Sequence, residues 1–328
     1  AAGMCTFCHN PHQSDNEKLL MMEPPDLCFM CHDSAMFTQK VVHMPVAAGM
    51  CTACHSPHAS KQEKLLLSDK ICFNCHDTEM FSKSVVHPPV AAGMCTSCHN
   101  PHSSDQEKML VSEDICFMCH DSTKFSGMRV VHPPVAAGMC TTCHNPHSSN
   151  ASRMLEPDIP NLCGKCHEKK EFLRRSKHGP VYIGMCIYCH EPHQSGEEKL
   201  LTDSVPSLCF SCHRESKFKG KNVHPPVQAG QCMECHEPHS SDFRTVLRGK
   251  TMDLCTKCHP AVLQGPHAGI SPGHKLEGPR DPKRRGKPFT CASCHNPHSS
   301  ASPKLWRYKA KTNYDMCEYC HKGGGLKR

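Results

Sequence analysis

Apolar residues in this chain fall in short clusters that return at a fixed interval. One is Gly-Met-Cys, as at Gly49 to Cys51, Gly93 to Cys95 and Gly138 to Cys140. A second is Leu-Leu at the end of a polar link, as at Leu65 and Leu66, and a third is Ile-Cys-Phe, as at Ile71 to Phe73 and Ile115 to Phe117. A fourth is Val-Val-His-Pro-Pro-Val, at Val85 to Val90 and Val130 to Val135. Polar links and 27 prolines between the clusters leave room only for brief helices. Helical turns are expected at Asn16 to Met22, at Gln62 to Leu67 and over the Ile-Cys-Phe segments, and strand signals are nearly absent. No stretch approaches the roughly 18 apolar residues that span a bilayer.

The interval is about 45 residues, and seven copies account for the chain. They are residues 1–45, 46–89, 90–134, 135–180, 181–226, 227–285 and 286–328. The sixth carries a Gly/Pro-rich basic insertion with Lys283, Arg284 and Arg285, expected to be a solvated surface segment; Lys287, just past that boundary, continues its basic run. The seventh is terminal and atypical and holds the only tryptophan, Trp306; its Gly323 to Arg328 tail is expected to be flexible. The opening Ala1-Ala2-Gly3-Met4-Cys5 matches Ala47 to Cys51 within a repeat, as a processed or truncated start would.

Hydrophobic residues make up 38% and aromatics 5%, too little for an ordinary core at 328 residues. Against that stand 28 cysteines and 28 histidines. Every cysteine lies in a Cys-x-x-Cys-His motif, two motifs to a repeat: Cys5 and Cys8, Cys28 and Cys31, Cys51 and Cys54, Cys72 and Cys75, Cys95 and Cys98, Cys116 and Cys119, Cys140 and Cys143, Cys163 and Cys166, Cys186 and Cys189, Cys209 and Cys212, Cys232 and Cys235, Cys255 and Cys258, Cys291 and Cys294, Cys317 and Cys320. Cysteines at i and i+3 face one side of a helical turn and can form thioethers with the two vinyl groups on one porphyrin edge. The adjacent histidine then meets the iron, so the pattern reads as c-type haem attachment. Zinc ribbons and thioredoxin-like sites use Cys-x-x-Cys as well, but neither requires a histidine after the second cysteine every time.

Half of the histidines are therefore expected to be proximal iron ligands: His9, His32, His55, His76, His99, His120, His144, His167, His190, His213, His236, His259, His295 and His321. The other half supplies one distal ligand per haem. Seven lie in Cys-His-x-Pro-His, namely His12, His58, His102, His147, His193, His239 and His298, and seven elsewhere, namely His43, His87, His132, His178, His224, His267 and His274. The match predicts bis-histidine ligation of fourteen haems c. His12 lies three residues after His9, a span of at most roughly 10 Å, too short to round a macrocycle, so it must serve a different haem. The Val-His-Pro-Pro histidines could serve a haem of their own repeat or of the next. The ends do not balance: the first repeat has no upstream histidine of this class, and the last interval has two, His267 and His274. One of these reaches a terminal haem or a neighbouring molecule, or one haem stays five-coordinate. The methionines before the first cysteines (Met4, Met50, Met94, Met139, Met185) give way to Gln231 and Thr290 later, so they read as packing against porphyrin, as do Phe29, Phe73, Phe117 and Phe210.

The formal charge of +7 suggests an acidic partner only until haems are counted. Each ferric bis-imidazole porphyrin brings about −1 through its propionates, which takes the holoprotein to about −7. The basic residues then counter propionates, and no nucleic-acid partner is expected.

The paired motifs with Cys-His-x-Pro-His resemble the doubled Cys-x-x-Cys-His multihaem cytochromes of metal- and mineral-respiring microbes, among them porin-threading decahaem conduits and cytochromes that polymerise into extracellular nanowires. The resemblance implies irregular coil with short helices wrapped around a near-linear haem stack, and an electron carrier rather than an enzyme. It implies a site outside the cytoplasm, extracellular or at the cell surface, with a periplasmic one the alternative. Expected partners are other redox proteins or copies of itself, in a filament where His267 or His274 ligates a neighbour's haem, and a terminal acceptor such as a metal oxide. The alternatives are a porin-embedded or periplasmic carrier and, in another class, a multihaem reductase of a small oxyanion.

Overall fold

A computed structural model describes residues 3–264, 267 and 275–321. The chain is mostly irregular, with short helices, 3-10 turns and two-residue strand pairs. No helix among the described residues is long and apolar enough to cross a membrane. His274 and the 323–328 tail, two expectations of the sequence, lie outside the described residues. Two compact bodies form, one from residues 1–125 and 137–158, the other from 126–136 and 159–328.

The second-half haem motifs are helical as expected, for example Asp26–Phe29, Ile71–Asn74, Ser207–Phe210 and Thr251–Thr256. The Glu-Lys-Leu-Leu links are not. In Glu17-Lys18-Leu19-Leu20 the two central residues have φ of 57° and 55°, and the Leu20 amide donates to the Glu17 carbonyl at 3.2 Å. This is a type I′ hairpin turn, with His9 bridged to Leu20 across it. The Leu-Leu pair that suggested a helix face is a turn because the preceding Cys-x-x-Cys-His segment offers the returning backbone its partners: Asn10 donates to Leu19 and Met21 to Cys8, both at 2.8 Å. The same turn recurs in every repeat, including Thr245-Val246 at φ of 55° and 48°.

Five two-stranded ladders, which the sequence did not reveal, tie the repeats together. Val41–Val42 pairs with Ser103–Ser104, Val85–Val86 with Ser148–Ser149, Val130–Val131 with Gln194–Ser195, Ser176–Lys177 with Ser240–Ser241, and Asn222–Val223 with Ser299–Ser300. Each joins a repeat to the one two places on. Pairs this short hold because a buried hydroxyl reinforces them. Ser103, fully buried, donates to the Met36 carbonyl at 3.0 Å and accepts from the Gln39 amide. Ser148 and Ser240, also fully buried, repeat the arrangement on Met80 and Lys83 and on Glu171 and Arg174.

Side chains do not fill the interior. Among the described residues the buried apolar ones are Trp306, Ala310 and Met316, all in the last repeat. Large apolar residues elsewhere stand open, such as Met4, Phe7, Met30, Met118 and Phe117. The accessible surface is 23464 Å², against about 13,500 Å² for a packed globule of this mass. The polypeptide is shaped to enclose something apolar that is not polypeptide.

The basic insertion does not run free in solvent throughout. Gly278 bridges Phe289, and Asp281, its side chain 1% exposed, pairs with Arg284 at 2.6 Å. Arg284 also reaches Ser293 within the next motif, so this part of the insertion is folded against it.

Candidate haem-binding sites

Each Cys-x-x-Cys-His segment makes one tight turn, closed by a bond from the histidine amide back to the first cysteine carbonyl, as from His9 to Cys5 at 2.9 Å and from His32 to Cys28 at 3.0 Å. That turn sets both thiols and the imidazole on one side. In the first-half motifs the ring is fixed by the I′ turn: His9 Nδ1 bonds to the Lys18 carbonyl at 2.8 Å, His55 to Lys64, His99 to Lys108, His144 to Arg153, His190 to Lys199, His236 to Thr245 and His295 to Lys304. The left-handed residues thus have a purpose, since only that turn aims the carbonyl at the ring. With Nδ1 donating, the lone pair of Nε2 is left for a metal.

The Val-His-Pro-Pro histidines are fixed in the same way by the repeat two places on. His43 donates its amide to the His102 carbonyl at 2.9 Å and Nδ1 to the Pro101 carbonyl at 3.0 Å. His87 binds His147 and Pro146 alike. His132, His178 and His224 bond to the Pro192, Pro238 and Pro297 carbonyls.

The histidines meet in twos. In the first body His9 faces His58, His43 faces His76, His55 faces His102, His87 faces His120 and His99 faces His147, with ring centres 6.0–6.2 Å apart. In the second, His132 faces His167, His178 His213, His190 His239, His224 His259, His236 His298 and His267 His295, at 5.9–6.2 Å. Every pair joins a proximal to a distal candidate. An iron between two imidazoles, with bonds near 2.0 Å, puts the ring centres about 6 Å apart. Any one such distance is ordinary for aromatic rings. Its recurrence between residues 28 to 62 positions apart is not, and the donors fit haem iron.

The pairing follows two rules. His58, His102, His147, His239 and His298 each face the first-motif histidine of the preceding repeat and not the histidine three residues before them. His43, His87, His132, His178 and His224 each face the second-motif histidine of the following repeat, the arrangement expected if they serve the next repeat's haem. His267, from the insertion, faces His295. His12 and His32 have no facing imidazole among the described residues, and both are exposed. His193 lies beside Glu191, and the His321 amide closes its own motif on Cys317.

Burial holds several of these rings below the ordinary imidazole range, His236, His239, His295 and His298 among them, which favours the neutral ligand form. The thiols stand where thioether sulfurs would be. Cys28 and Cys51 hydrogen-bond each other, as do Cys72 and Cys95, Cys116 and Cys140, Cys209 and Cys232, and Cys255 and Cys291. Burial, with Cys232 beside it, pushes Cys209 up to about 11. Each contact joins the second motif of one repeat to the first of the next. Within a repeat Cys54 neighbours Cys75, Cys189 neighbours Cys212 and Cys235 neighbours Cys258.

Sequence reading missed one set of residues. Phe37, Phe81, Phe172 and Phe218 pack on His102, His147, His239 and His298 at 4.9–5.2 Å and brace the distal rings. The signal was available, since each follows a second-motif histidine by five positions.

Comparison with curated proteins finds no match. The family model described as the doubled CXXCH motif matches seven times, over residues 1–37, 43–81, 87–125, 132–172, 178–218, 224–263 and 282–325. With attachment motifs, paired imidazoles and an interior made for an apolar guest, the chain belongs to the doubled-CXXCH family of multihaem c-type cytochromes, proteins of electron transfer.

Proposed function

We propose that the chain binds fourteen bis-histidine haems c and carries electrons along them as a long-range conduit outside the cytoplasm. Cysteine contacts between consecutive motifs carry this reading, because they bring the attachment edge of one haem against that of the next. A bound haem supplies a one-electron iron couple. The chain's own residues do the rest. Paired imidazoles keep each iron's coordination unchanged between oxidation states, backbone carbonyls on Nδ1 raise ligand basicity, and within each body the strand ladders hold the repeats in register. Lysines and arginines on the polar links offset propionate charge.

The partners that fit are another redox protein and, at the far end, an extracellular acceptor such as a metal oxide. His267 is engaged within its own chain, so a filament bridged by that residue is not the version favoured.

The test is intact mass combined with electron paramagnetic resonance of the oxidised protein. Fourteen haem increments and a predominantly low-spin ferric spectrum support the reading. A mass showing fewer haems, or a largely high-spin spectrum with turnover of nitrite or hydroxylamine, would replace it with the reductase.

A further inference from the structure

The first motif of each repeat is accompanied by two positions that the fold holds in one place. The residue after its histidine donates its amide to the hairpin turn, as Glu191 does to Leu200, Glu237 to Val246 and Asn296 to Leu305, each at 2.7 Å. The residue twelve positions after that histidine donates its amide to the second cysteine carbonyl, as Thr202 does to Cys189 at 3.0 Å, Arg248 to Cys235 at 2.9 Å and Arg307 to Cys294 at 2.7 Å. The two side chains are neighbours: Asn145 donates to Glu156 at 2.8 Å, and Arg248 Nε lies 3.7 Å from Glu237 Oε2. Both positions thus stand at the attachment loop, at the same point in every repeat, while their charges differ.

In the first three repeats the two are uncharged, Asn10 with Met21, Ser56 with Leu67 and Asn100 with Val111. The three sets in the second body are graded. Glu191 with Thr202 brings one negative charge, Glu237 with Arg248 is an ion pair that cancels, and Asn296 with Arg307 brings one positive charge. Arg307 is half-buried and follows Trp306 of the apolar cap formed by Trp306, Ala310 and Met316. Its guanidinium donates to the Ala292 carbonyl at 2.6 Å and to the carbonyl of His295 at 3.1 Å, so the charge is tied to the loop itself. Other charges nearby do not undo the contrast. Arg284 is closed on Asp281 at 2.6 Å, and Lys199 and Lys304 take the same turn position in the fifth and seventh repeats.

A ferric bis-imidazole core carries a positive charge that one added electron cancels. A fixed cation beside it favours the ferrous form, a carboxylate favours the ferric, and an arginine stays charged throughout. Resting on the haem reading above, we infer that these two positions set the potentials of the first-motif haems. Arg307 makes the haem of Cys291, Cys294 and His295 the stronger electron acceptor, and Glu191 makes that of Cys186, Cys189 and His190 the weaker. An electron shared between them leaves ferrous iron at His190 and comes to rest as ferrous iron at His295, with no bond made or broken. Arg307 and Glu191 are positioning residues that act by charge, not ligands.

The experiment is an optical redox titration of the haem-loaded chain 1–328. Cys291→Ala with Cys294→Ala removes one haem and identifies its component by difference, and Cys186→Ala with Cys189→Ala does the same for the other. The Cys291 component should titrate above the Cys186 component. Arg307→Met should lower the Cys291 component by about 59 mV, a tenfold shift of a one-electron equilibrium, and Arg307→Lys should restore most of it. Asn296→Asp, which leaves Arg307 and its carbonyl bonds in place, should lower it as well. Glu191→Gln should raise the Cys186 component, and by less in high salt, because Glu191 is half-exposed. The inference is overturned if the Cys291 component lies below the Cys186 component, or if Asn296→Asp moves nothing. Equal shifts from Arg307→Met and Arg307→Lys would also overturn it, by making the arginine a support of the loop. Failure of the haem reading is told apart by the intact mass, which would then lack haem altogether.

Discussion

The imidazole of His267 faces that of His295 at 6.1 Å, with their planes 54° apart, the widest angle among the facing pairs. His9, His55, His99, His190 and His236 face a Cys-His-x-Pro-His residue one repeat on, whereas His295 faces a histidine from another segment. His267, which lies in an insertion with no counterpart elsewhere in the chain, brings an imidazole to the same distance at a different tilt. The position of the second imidazole is what the fold preserves, whichever segment brings it.

That pairing logic can be tested where it crosses repeats. His43→Ala should produce a new high-spin haem in the second repeat, on Cys72, Cys75 and His76, although His43 lies in the first. Adding Cys72→Ala and Cys75→Ala, which removes that haem, should abolish the new signal in the paramagnetic resonance spectrum. Persistence of the signal would mean that His43 serves the haem of its own repeat.

Thr245 and Val246 hold φ of 55° and 48°, a region costly for β-branched side chains. Thr245→Asn with Val246→Gly keeps the carbonyl that His236 binds and relieves the strain. A gain of about 1 kcal/mol is expected, read as a raised thermal midpoint with unchanged haem spectra. A loss of stability would show that the turn is not strained.

Ser148 is fully buried, donates to the Met80 carbonyl at 2.9 Å and accepts from the Lys83 amide at 3.2 Å. Ser148→Ala strands both groups and should cost about 2 kcal/mol in denaturant unfolding. Ala59→Ser, at the equivalent but exposed position, should change stability by less than about 0.5 kcal/mol. Equal effects at the two sites would remove the burial argument.

Asp281 meets a burial cost, but hydrogen bonds from Ser293, Arg284 and the Lys283 and Arg284 amides outweigh it and hold the carboxyl at about 2. Its folded value lies below the unfolded one, so its contribution is complete above pH of about 4 and is lost as pH falls towards 2. Asp281→Asn should destabilise the C-terminal cap by about 2 kcal/mol at neutral pH. The difference from the parent protein should shrink as pH falls from 4 to 2. Tryptophan fluorescence of Trp306 reports the cap directly, and a difference that did not vary with pH would assign the effect to packing instead.

The attachment chemistry was legible in the sequence because it is local. Five residues close one turn, and nothing distant is needed to set Cys5, Cys8 and His9 on one side. That a Cys-His-x-Pro-His histidine such as His58 faces the distant His9 and not its neighbour His55 agrees with three residues of reach. The shortage of apolar residues indicated that side chains do not fill the interior, and the described residues bury only Trp306, Ala310 and Met316. What only the tertiary structure decided was which imidazole meets which. His43 reaches His76 because its backbone is bonded to Pro101 and His102, two repeats away, and no property of residues 36–43 names that partner. The Leu-Leu links were misread as helix for the same reason, since Leu19 takes a left-handed conformation only because the neighbouring haem motif receives its backbone hydrogen bonds. Propensity and spacing act along the chain, whereas hydrogen-bond satisfaction and ligand pairing act across it, and the second kind settles only when the repeats have met.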